Sequence, residues 1–194
     1  MKSMKKTIAI LVATSMLFGC VIGGTIAWLM DTSNTVTNTF TTSDITVTLT
    51  ETRGGENHEF KMVPGYTIEK DPTVTVKGGS EDCYLFVKVE EANDLDDYID
   101  YTVDSSDGKW KVLTTENNVY YREVTANSGD QTFAVLTDNK VTVKDTVTKE
   151  MMSAEDFEEP TLTFTAYAHQ LYQSNTPASK FDPTVAWTNV KDNV

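Results

Sequence analysis

Threonine that alternates with apolar residues is the pattern that most constrains how this chain folds. Residues 45–50 are Ile-Thr-Val-Thr-Leu-Thr, and residues 161–168 are Thr-Leu-Thr-Phe-Thr-Ala-Tyr-Ala. Successive side chains of a strand point to opposite faces, so each stretch predicts a strand with one buried face. The chain has 31 threonines and 20 valines among 194 residues. Because β-branched residues pack well on a sheet but lose side-chain freedom in a helix, the sequence predicts an all-β protein.

Turn residues divide the rest of the chain into further strand candidates. Pro64-Gly65, Gly78-Gly79 and Asp107-Gly108 are turn signals, since proline presets its own φ and glycine tolerates positive φ. The strand candidates between such turns span residues 73–77, 83–90, 110–113, 119–124, 132–136 and 141–148. About eight or nine short strands predict a single β-sandwich of jelly-roll or Greek-key type over residues 41–194.

Some segments of the predicted sandwich depart from simple alternation. The strand at 83–90 begins Cys-Tyr-Leu-Phe-Val, which is apolar on both faces, so we expect it to lie centrally between two sheets. Residues 93–100 form an acidic connection with room for one helical turn. Ser153, followed by Glu155 and Asp156, is the best helix start, because serine caps a helix and acids stabilise its first turn. The sandwich should therefore carry one or two short helices.

The first 30 residues have the composition of a secretory signal peptide. Lys2, Lys5 and Lys6 are the only charged residues before Asp31, and residues 7–30 contain no charge. A basic start, an apolar stretch and small residues beyond it are typical of export signals. We therefore expect an N-terminal signal helix that contacts the membrane only in the precursor, and a secreted or cell-surface protein.

Small side chains at two positions predict where the signal peptide ends. Thr25 and Ala27 occupy the −3 and −1 positions of a cleavage site, so the signal peptide should span residues 1–27, within two residues. Two alternatives stay open. The uncharged stretch is long enough to remain as an uncleaved transmembrane anchor. Residues 17–20, Leu-Phe-Gly-Cys, resemble a lipobox, in which an acylated Cys20 would anchor the chain.

Net charge excludes one class of partner. The chain has 16 Lys and Arg against 29 Asp and Glu, a formal net charge of −13. Loss of three lysines with the signal peptide makes the mature charge −16. Phosphate binding depends on Lys and Arg that release counterions, so we expect no nucleic-acid partner.

A search for catalytic and metal-binding patterns yields only weak candidates. His58-Glu59 begins like a His-Glu-x-x-His zinc motif, but Met62 stands where the second histidine belongs, and His169 is remote in sequence. Zinc bound by His58, Glu59 and His169, or calcium bound by the acids of residues 90–100, has no motif in support. A loop histidine, a strand histidine and a solvated acidic edge explain the same residues. We expect no catalytic residues and no cofactor.

Cys83 is the one cysteine of the predicted mature chain. It opens an apolar strand, which favours a buried structural thiol over a nucleophile.

The N-terminal region resembles a known family. Residues 23–31 are Gly-Gly-Thr-Ile-Ala-Trp-Leu-Met-Asp, and residues 36–41 are Val-Thr-Asn-Thr-Phe-Thr. They resemble the start of Gram-positive proteins that a SipW-type signal peptidase processes, the TasA and camelysin family of biofilm-matrix proteins. Looser matches follow at residues 63–65, 70–74 and 164–170, and at Ala186-Trp187.

The resemblance implies a secreted jelly-roll protein whose copies associate by donor-strand exchange. In that mechanism, the N-terminal segment of one subunit adds to a sheet of the next. The corresponding segment here is 28–40, which contains one charge and neither glycine nor proline. Its candidate assembly residues are Trp28, Asp31, Val36, Asn38 and Phe40. The alternative is an ordinary flexible N-terminus.

Three functions remain as hypotheses. The first is a secreted structural subunit of a biofilm-type extracellular matrix or fibre, whose partners are further copies of the chain and, during export, the signal peptidase. The second is a camelysin-like cell-surface metalloendopeptidase, although the incomplete zinc motif departs from what that activity requires. The third is a monomeric surface adhesin.

Overall fold

Twelve short strands and two helices are found in residues 44–52, 60–175 and 178–191, the part of the chain that the computed structural model describes. The predicted signal peptide with Thr25 and Ala27, the assembly segment, His58 and Glu59 lie outside these residues. The strands are β1 (Val47–Thr50), β2 (Thr67–Glu69), β3 (Thr73–Val76), β4 (Cys83–Ala92), β5 (Ile99–Asp100), β6 (Lys111–Val112), β7 (Val119–Val124), β8 (Gln131–Ala134), β9 (Lys140–Val143), β10 (Thr161–Gln170), β11 (Tyr172–Asn175) and β12 (Ala178–Lys180). The helices are α1 (Leu95–Tyr98) and α2 (Pro183–Lys191).

The first layer of the sandwich consists of two groups of strands that continue into each other. β1 pairs with β3 and β3 with β8, while β2 pairs with β9 and β9 with β5, all antiparallel. Between the groups, the Lys70 amide donates to the Asn139 carbonyl at 2.8 Å, and the Val135 amide donates to the Pro72 carbonyl at 2.9 Å. Positive φ at Asp138 and Asn139 bends the chain there. The result is one bent sheet.

The second layer is an antiparallel sheet in the order β10, β4, β7, β6. All ten residues of β4 pair with β10, from Cys83 opposite Gln170 to Ala92 opposite Thr161. The order β10–β4–β7 here, and the pairing of β2 with β9 and β9 with β5 in the first layer, follow the strand order of a jelly roll. An ideal jelly roll would also pair its first strand with its last, whereas β1 pairs with β3.

Alternate residues of β4 join the two layers in one core. Its inward side chains pack with those of β3 and with the segment after β8. These buried residues include Cys83, Leu85, Val87, Val89, Val74, Val76 and Val135. Burial of each valine or leucine contributes about 1.5–3 kcal/mol, so this shared core holds the layers together. The predicted all-β sandwich is confirmed.

The outward face of β4 is buried as well. Tyr84 and Phe86 pack against Ala186 and Trp187 of α2. The Phe86 and Trp187 ring centroids are 5.5 Å apart, and Tyr167 of β10 meets Trp187 edge-on at 5.1 Å. The prediction that this strand is buried on both faces is confirmed. The expectation of a second sheet on its far side is wrong, because a helix covers that face.

Helix α2 begins at a clear local signal that we did not predict. The Asp182 carboxylate accepts a hydrogen bond from the Thr184 amide at 2.8 Å, and Pro183 takes the first helical position. An aspartate cap followed by proline is a favourable helix start. Lys191 in the last turn then suits the negative end of the helix dipole.

Two other local predictions are wrong. The helix expected to start at Ser153 is instead a single 3-10 turn, Met151–Ser153, after which Ala154 is extended. The strand expected over residues 141–148 ends at Val143, because the chain turns where the Val147 amide donates to the Lys144 carbonyl. The helical turn expected in residues 93–100 is present as α1. Within the described residues, no helix has both the length and the apolar character needed to cross a bilayer.

Candidate functional site

Strand β10 differs from every other strand at a sheet edge. It has ten residues, whereas the other edge strands of the described sheets have two to four. Natural sheets keep edge strands short, because a long row of unpaired amides and carbonyls invites pairing with another chain. β10 therefore offers an extended backbone that the rest of the sandwich does not.

Within the part of the chain that the structure describes, the backbone partners of β10 lie on one side. β4 pairs with all ten of its residues. On the other side, no backbone group in residues 44–52, 60–175 or 178–191 pairs with it. Alternate amides and carbonyls of an edge strand point away from its sheet, so β10 presents donors and acceptors for one more strand.

The side chains of β10 do not protect this edge. Residues 161–170 contain no Lys, Arg, Asp, Glu, Pro or Gly. Charged side chains and proline are the usual means by which proteins prevent pairing at an edge. Uncharged segments of high β-propensity without proline are those that pair most readily. Sequence alternation predicted this strand, but its position at the edge depends on long-range pairing.

A cluster of four side chains holds β1 beside β10 without backbone pairing between the two strands. The Lys70 ammonium contacts both carboxylate oxygens of Glu51, at 3.0 and 3.2 Å. It also lies 5.7 Å from the ring centroids of Phe60 and of Phe164 in β10. The Lys70 and Glu51 side chains are each 14% exposed. We call Glu51, Phe60, Lys70 and Phe164 the Lys70 clasp; no local sequence signal indicates it.

His169 lies near the end of β10 and is held through both ring nitrogens. Its Nδ1 is 2.7 Å from the Gln170 carbonyl oxygen, and its Nε2 is 3.2 Å from the Asn189 side-chain nitrogen. The ring packs edge-on against Phe181, with centroids 4.6 Å apart. These contacts fit donation from Nδ1 to the Gln170 carbonyl and donation from the Asn189 amide to Nε2. In this arrangement His169 ties β10 to α2.

Of the three predicted zinc ligands, the structure describes His169 alone. Across residues 44–52, 60–175 and 178–191, no three His, Cys, Asp or Glu side chains are grouped as a metal site would require. His58 and Glu59 lie outside those residues. The zinc site of His58, Glu59 and His169 therefore stays a prediction.

Cys83 is fully buried in the core between the two layers. Burial, with a smaller contribution from the charge of Asp82, raises the pKa of the thiol to about 11. Because the thiolate is the nucleophilic form, Cys83 is an inert thiol near neutral pH. The expectation of a buried structural cysteine is confirmed.

A polar cleft of about 440 Å³ opens between the two layers at the ends of β4, β5, β6 and β7. Glu91, on β4, pairs with Leu162, which packs on the inner core, so its side chain lies on the inward face. The Tyr101 hydroxyl donates to the Glu91 carboxylate. Burial and this hydrogen bond raise the pKa of Tyr101.

The remaining charges of the cleft lie around Lys144. Its ammonium donates to the Asp96 carbonyl and is 3.7 Å from the Asp100 carboxylate. Among the acids of residues 90–100, predicted as a weak calcium site or a solvated edge, Glu91 therefore contacts a tyrosine and Asp100 contacts a lysine. Sequence reasoning missed the cleft, although Glu91 interrupts the inward apolar row of β4.

Comparisons of the chain with protein-family models, with curated proteins and with solved structures find no match. The β10 edge and the N-terminal resemblance are therefore the basis for a proposed function.

Proposed function

We propose that the protein is a secreted structural subunit of a biofilm-type extracellular matrix or fibre, and that its copies associate by β-strand addition at β10. The observation that carries the proposal is the open edge of β10, which is ten residues long and uncharged. Strand addition gains its affinity from main-chain hydrogen bonds and its specificity from alternate side chains. The resemblance of residues 23–41 to secreted matrix proteins gives the same function.

Residues 28–40 supply a strand of suitable length and chemistry. Four apolar residues of this segment lie at even-numbered positions: Trp28, Met30, Val36 and Phe40. In an extended conformation they would share one face. Thr32, Asn34 and Asn38 lie on the same face, and the opposite face carries Leu29, Asp31, Ser33 and three threonines. A segment with one more apolar face can pair with β10 and extend the inward apolar face of its sheet.

A short tether joins this segment to β1, and its length sets how far the segment can reach. Residues 41–46 separate the two, and extended chain spans about 3.3 Å per residue, so the tether reaches about 20 Å. Pairing with the subunit's own β10 would produce a closed monomer. Pairing with the β10 of a second copy would produce a chain of subunits whose length increases with protein concentration.

Electron microscopy and sedimentation of the secreted protein over a range of concentrations test the proposal. We expect fibres from the full secreted form and none after deletion of residues 28–40. Thr163→Lys should also abolish assembly. The new lysine would lie opposite Glu90, which supports the fold, and would put a charge on the edge.

Thr114→Lys is the matched control for this experiment. It adds the same charge at an exposed threonine outside every strand, and should leave assembly unchanged. A full secreted form that stays monomeric under all assembly conditions, or a Thr163→Lys variant that assembles normally, would contradict the proposal.

The metalloendopeptidase hypothesis has a separate test. It requires chelator-sensitive cleavage of casein that is lost in His58→Ala and His169→Ala. Purified protein without stoichiometric zinc would argue against it.

A further inference from the structure

The cleft between the layers is lined by polar and charged side chains, whereas the core beside it is apolar. The inward row of β4 is Cys83, Leu85, Val87 and Val89, all of them buried. The next residue on this face is Glu91, which is exposed near the end of β4 and lines the cleft. Departures from a local pattern without a structural need tend to mark functional sites.

Two tyrosines add hydroxyl-bearing rings to the same space. Tyr120 of β7 lies opposite Val87, so it occupies an inward position. Tyr101 follows β5 in the first layer and binds Glu91. Both rings are half-buried, and burial together with the Glu91 charge raises the pKa of Tyr120. The two phenols therefore stay neutral near neutral pH, and the Tyr120 hydroxyl and the lone pairs of the Tyr101 oxygen are available for hydrogen bonds.

The rim of the cleft combines an apolar surface with polar groups. Val112 of β6 lines it and is 55% exposed. Asn118 lines it with an exposed side chain, on a backbone at a φ of 56°. The hydroxyls of Thr102 and Ser105 complete the polar rim.

We propose that this cleft binds a glycan of neutral or amino sugars. A sugar ring has a flat C–H face, which would pack on Tyr101, Tyr120 and Val112. Its edge carries hydroxyls, which would hydrogen-bond to Glu91 and Asn118. The cleft volume of about 440 Å³ is within the range of small-ligand sites, and its opening to solvent suits internal units of a polymer.

Charge selects among glycans. The lining contains the carboxylates of Glu91, Asp96 and Asp100 but one ammonium, that of Lys144. Lys144 is engaged by the Asp96 carbonyl and by Asp100. The surplus of negative charge attracts protonated amino groups and repels carboxylated sugars. Amino sugars should therefore bind most tightly and uronic acids least.

Calorimetric titration of the purified protein with three tetrasaccharides tests this proposal. The probes are the tetramers of glucosamine, N-acetylglucosamine and galacturonic acid. We expect the first two to bind and the third to bind at least about tenfold more weakly. Equal binding of all three, or no binding of any at millimolar concentration, would overturn the proposal.

Variants then locate the binding. Tyr120→Ala should weaken glucosamine binding by about tenfold or more, the size of effect expected from loss of one stacked ring. Asn118→Gly removes the side-chain amide from the rim. Because glycine suits the positive φ at this position, this variant should fold and can be used even if Tyr120→Ala fails to fold. Glu91→Gln should reduce the preference for glucosamine over its N-acetylated form. Tyr66→Ala is the control, since that tyrosine is 59% exposed and outside the cleft.

Glycan binding in the cleft can be measured independently of fibre formation, because strand addition would occur at the edge of β10, outside the cleft. Unchanged binding in both Tyr120→Ala and Asn118→Gly would overturn the proposal and leave the assembly proposal unaffected.

Discussion

The second sheet ends on one side in β10 and on the other in β6, and these two edges are built differently. β10 has ten uncharged residues. β6 has two exposed residues, Lys111 and Val112, and the Lys111 ammonium lies 5.9 Å from the Tyr121 ring. A short edge that carries a lysine resists pairing with other chains, whereas a long neutral edge permits it.

The residues that flank β6 keep it short. Trp110 is buried, and its indole nitrogen donates to the Ala134 carbonyl at 2.7 Å. The Arg122 guanidinium carbon lies 5.5 Å from the centroid of the Trp110 ring. On the other side, the amide of buried Leu113 donates to the Val119 carbonyl at 2.8 Å. Among the described residues, the sheet thus has a short edge at β6 between buried side chains and a long unpaired edge at β10, which is the asymmetry that head-to-tail association needs.

The largest expected effect comes from the Lys70 clasp on the β10 side. Lys70→Ala leaves the Glu51 carboxylate partly buried and without its cation. We expect the free energy of unfolding to fall by about 3 kcal/mol, measured by urea denaturation. Thr48 and Thr50, whose amides face β3, should lose hydrogen-exchange protection first, because the clasp joins β1 to β10.

A second effect concerns pH and the core behind β10. The pKa of Cys83 is about 11 in the folded state, above its ordinary value of 9.0. The folded state therefore holds the proton more tightly, so its stabilising contribution is complete below pH 9 and is lost as pH rises toward 11. Urea midpoints measured across this interval should fall more for the unmodified chain than for Cys83→Ala. Parallel pH profiles would contradict the buried thiol.

A smaller effect is expected where α2 covers the outer face of β10. Asp182→Ala removes the cap from the Thr184 amide and should cost about 1 kcal/mol. Hydrogen exchange should rise in α2 and at Tyr167 and His169, which α2 covers. Asp182→Asn, which keeps a capping oxygen, is the control and should retain most of the stability.

The smallest effect is expected at β6. Like Lys70→Ala, Lys111→Ala removes a lysine that lies over an aromatic ring. Because Lys111 is exposed to solvent, the free energy of unfolding should change by no more than about 0.5 kcal/mol. Assembly should also be unchanged, because two residues make too short an edge to pair. New aggregation in this variant would show that charge, and not length, protects β6.

Local pattern was sufficient to predict most strands of the two layers, but not β2 and β5 of the first layer or the pair of β11 and β12. Two such patterns are the alternation at residues 161–168 and the apolar character of both faces of residues 83–90. They correspond to β10 and β4 of the second sheet. The fold class follows from them, since such strands bury their apolar faces only by stacking sheets.

Contacts between distant residues could not be predicted in the same way. The Lys70 clasp joins residues from three separate segments, and Glu91 faces inward only because β4 pairs with β10. Helix α2 had local signals in Asp182 and Pro183, but its Thr, Val and Trp residues favour strands. Packing of Trp187 on Phe86 overrides that preference, as tertiary contacts commonly do.

The burial of Cys83 has a consequence for the chemistry of an assembled matrix. It is the one cysteine in residues 28–194, and its side chain has no exposed surface. In the oxidising surroundings of a secreted protein, an exposed single thiol would link neighbouring subunits through disulfides. With the thiol sealed in the core, subunits joined at β10 would be held by hydrogen bonds and packing alone. If the proposed fibres form, denaturant without reductant should dissolve them completely and release single chains.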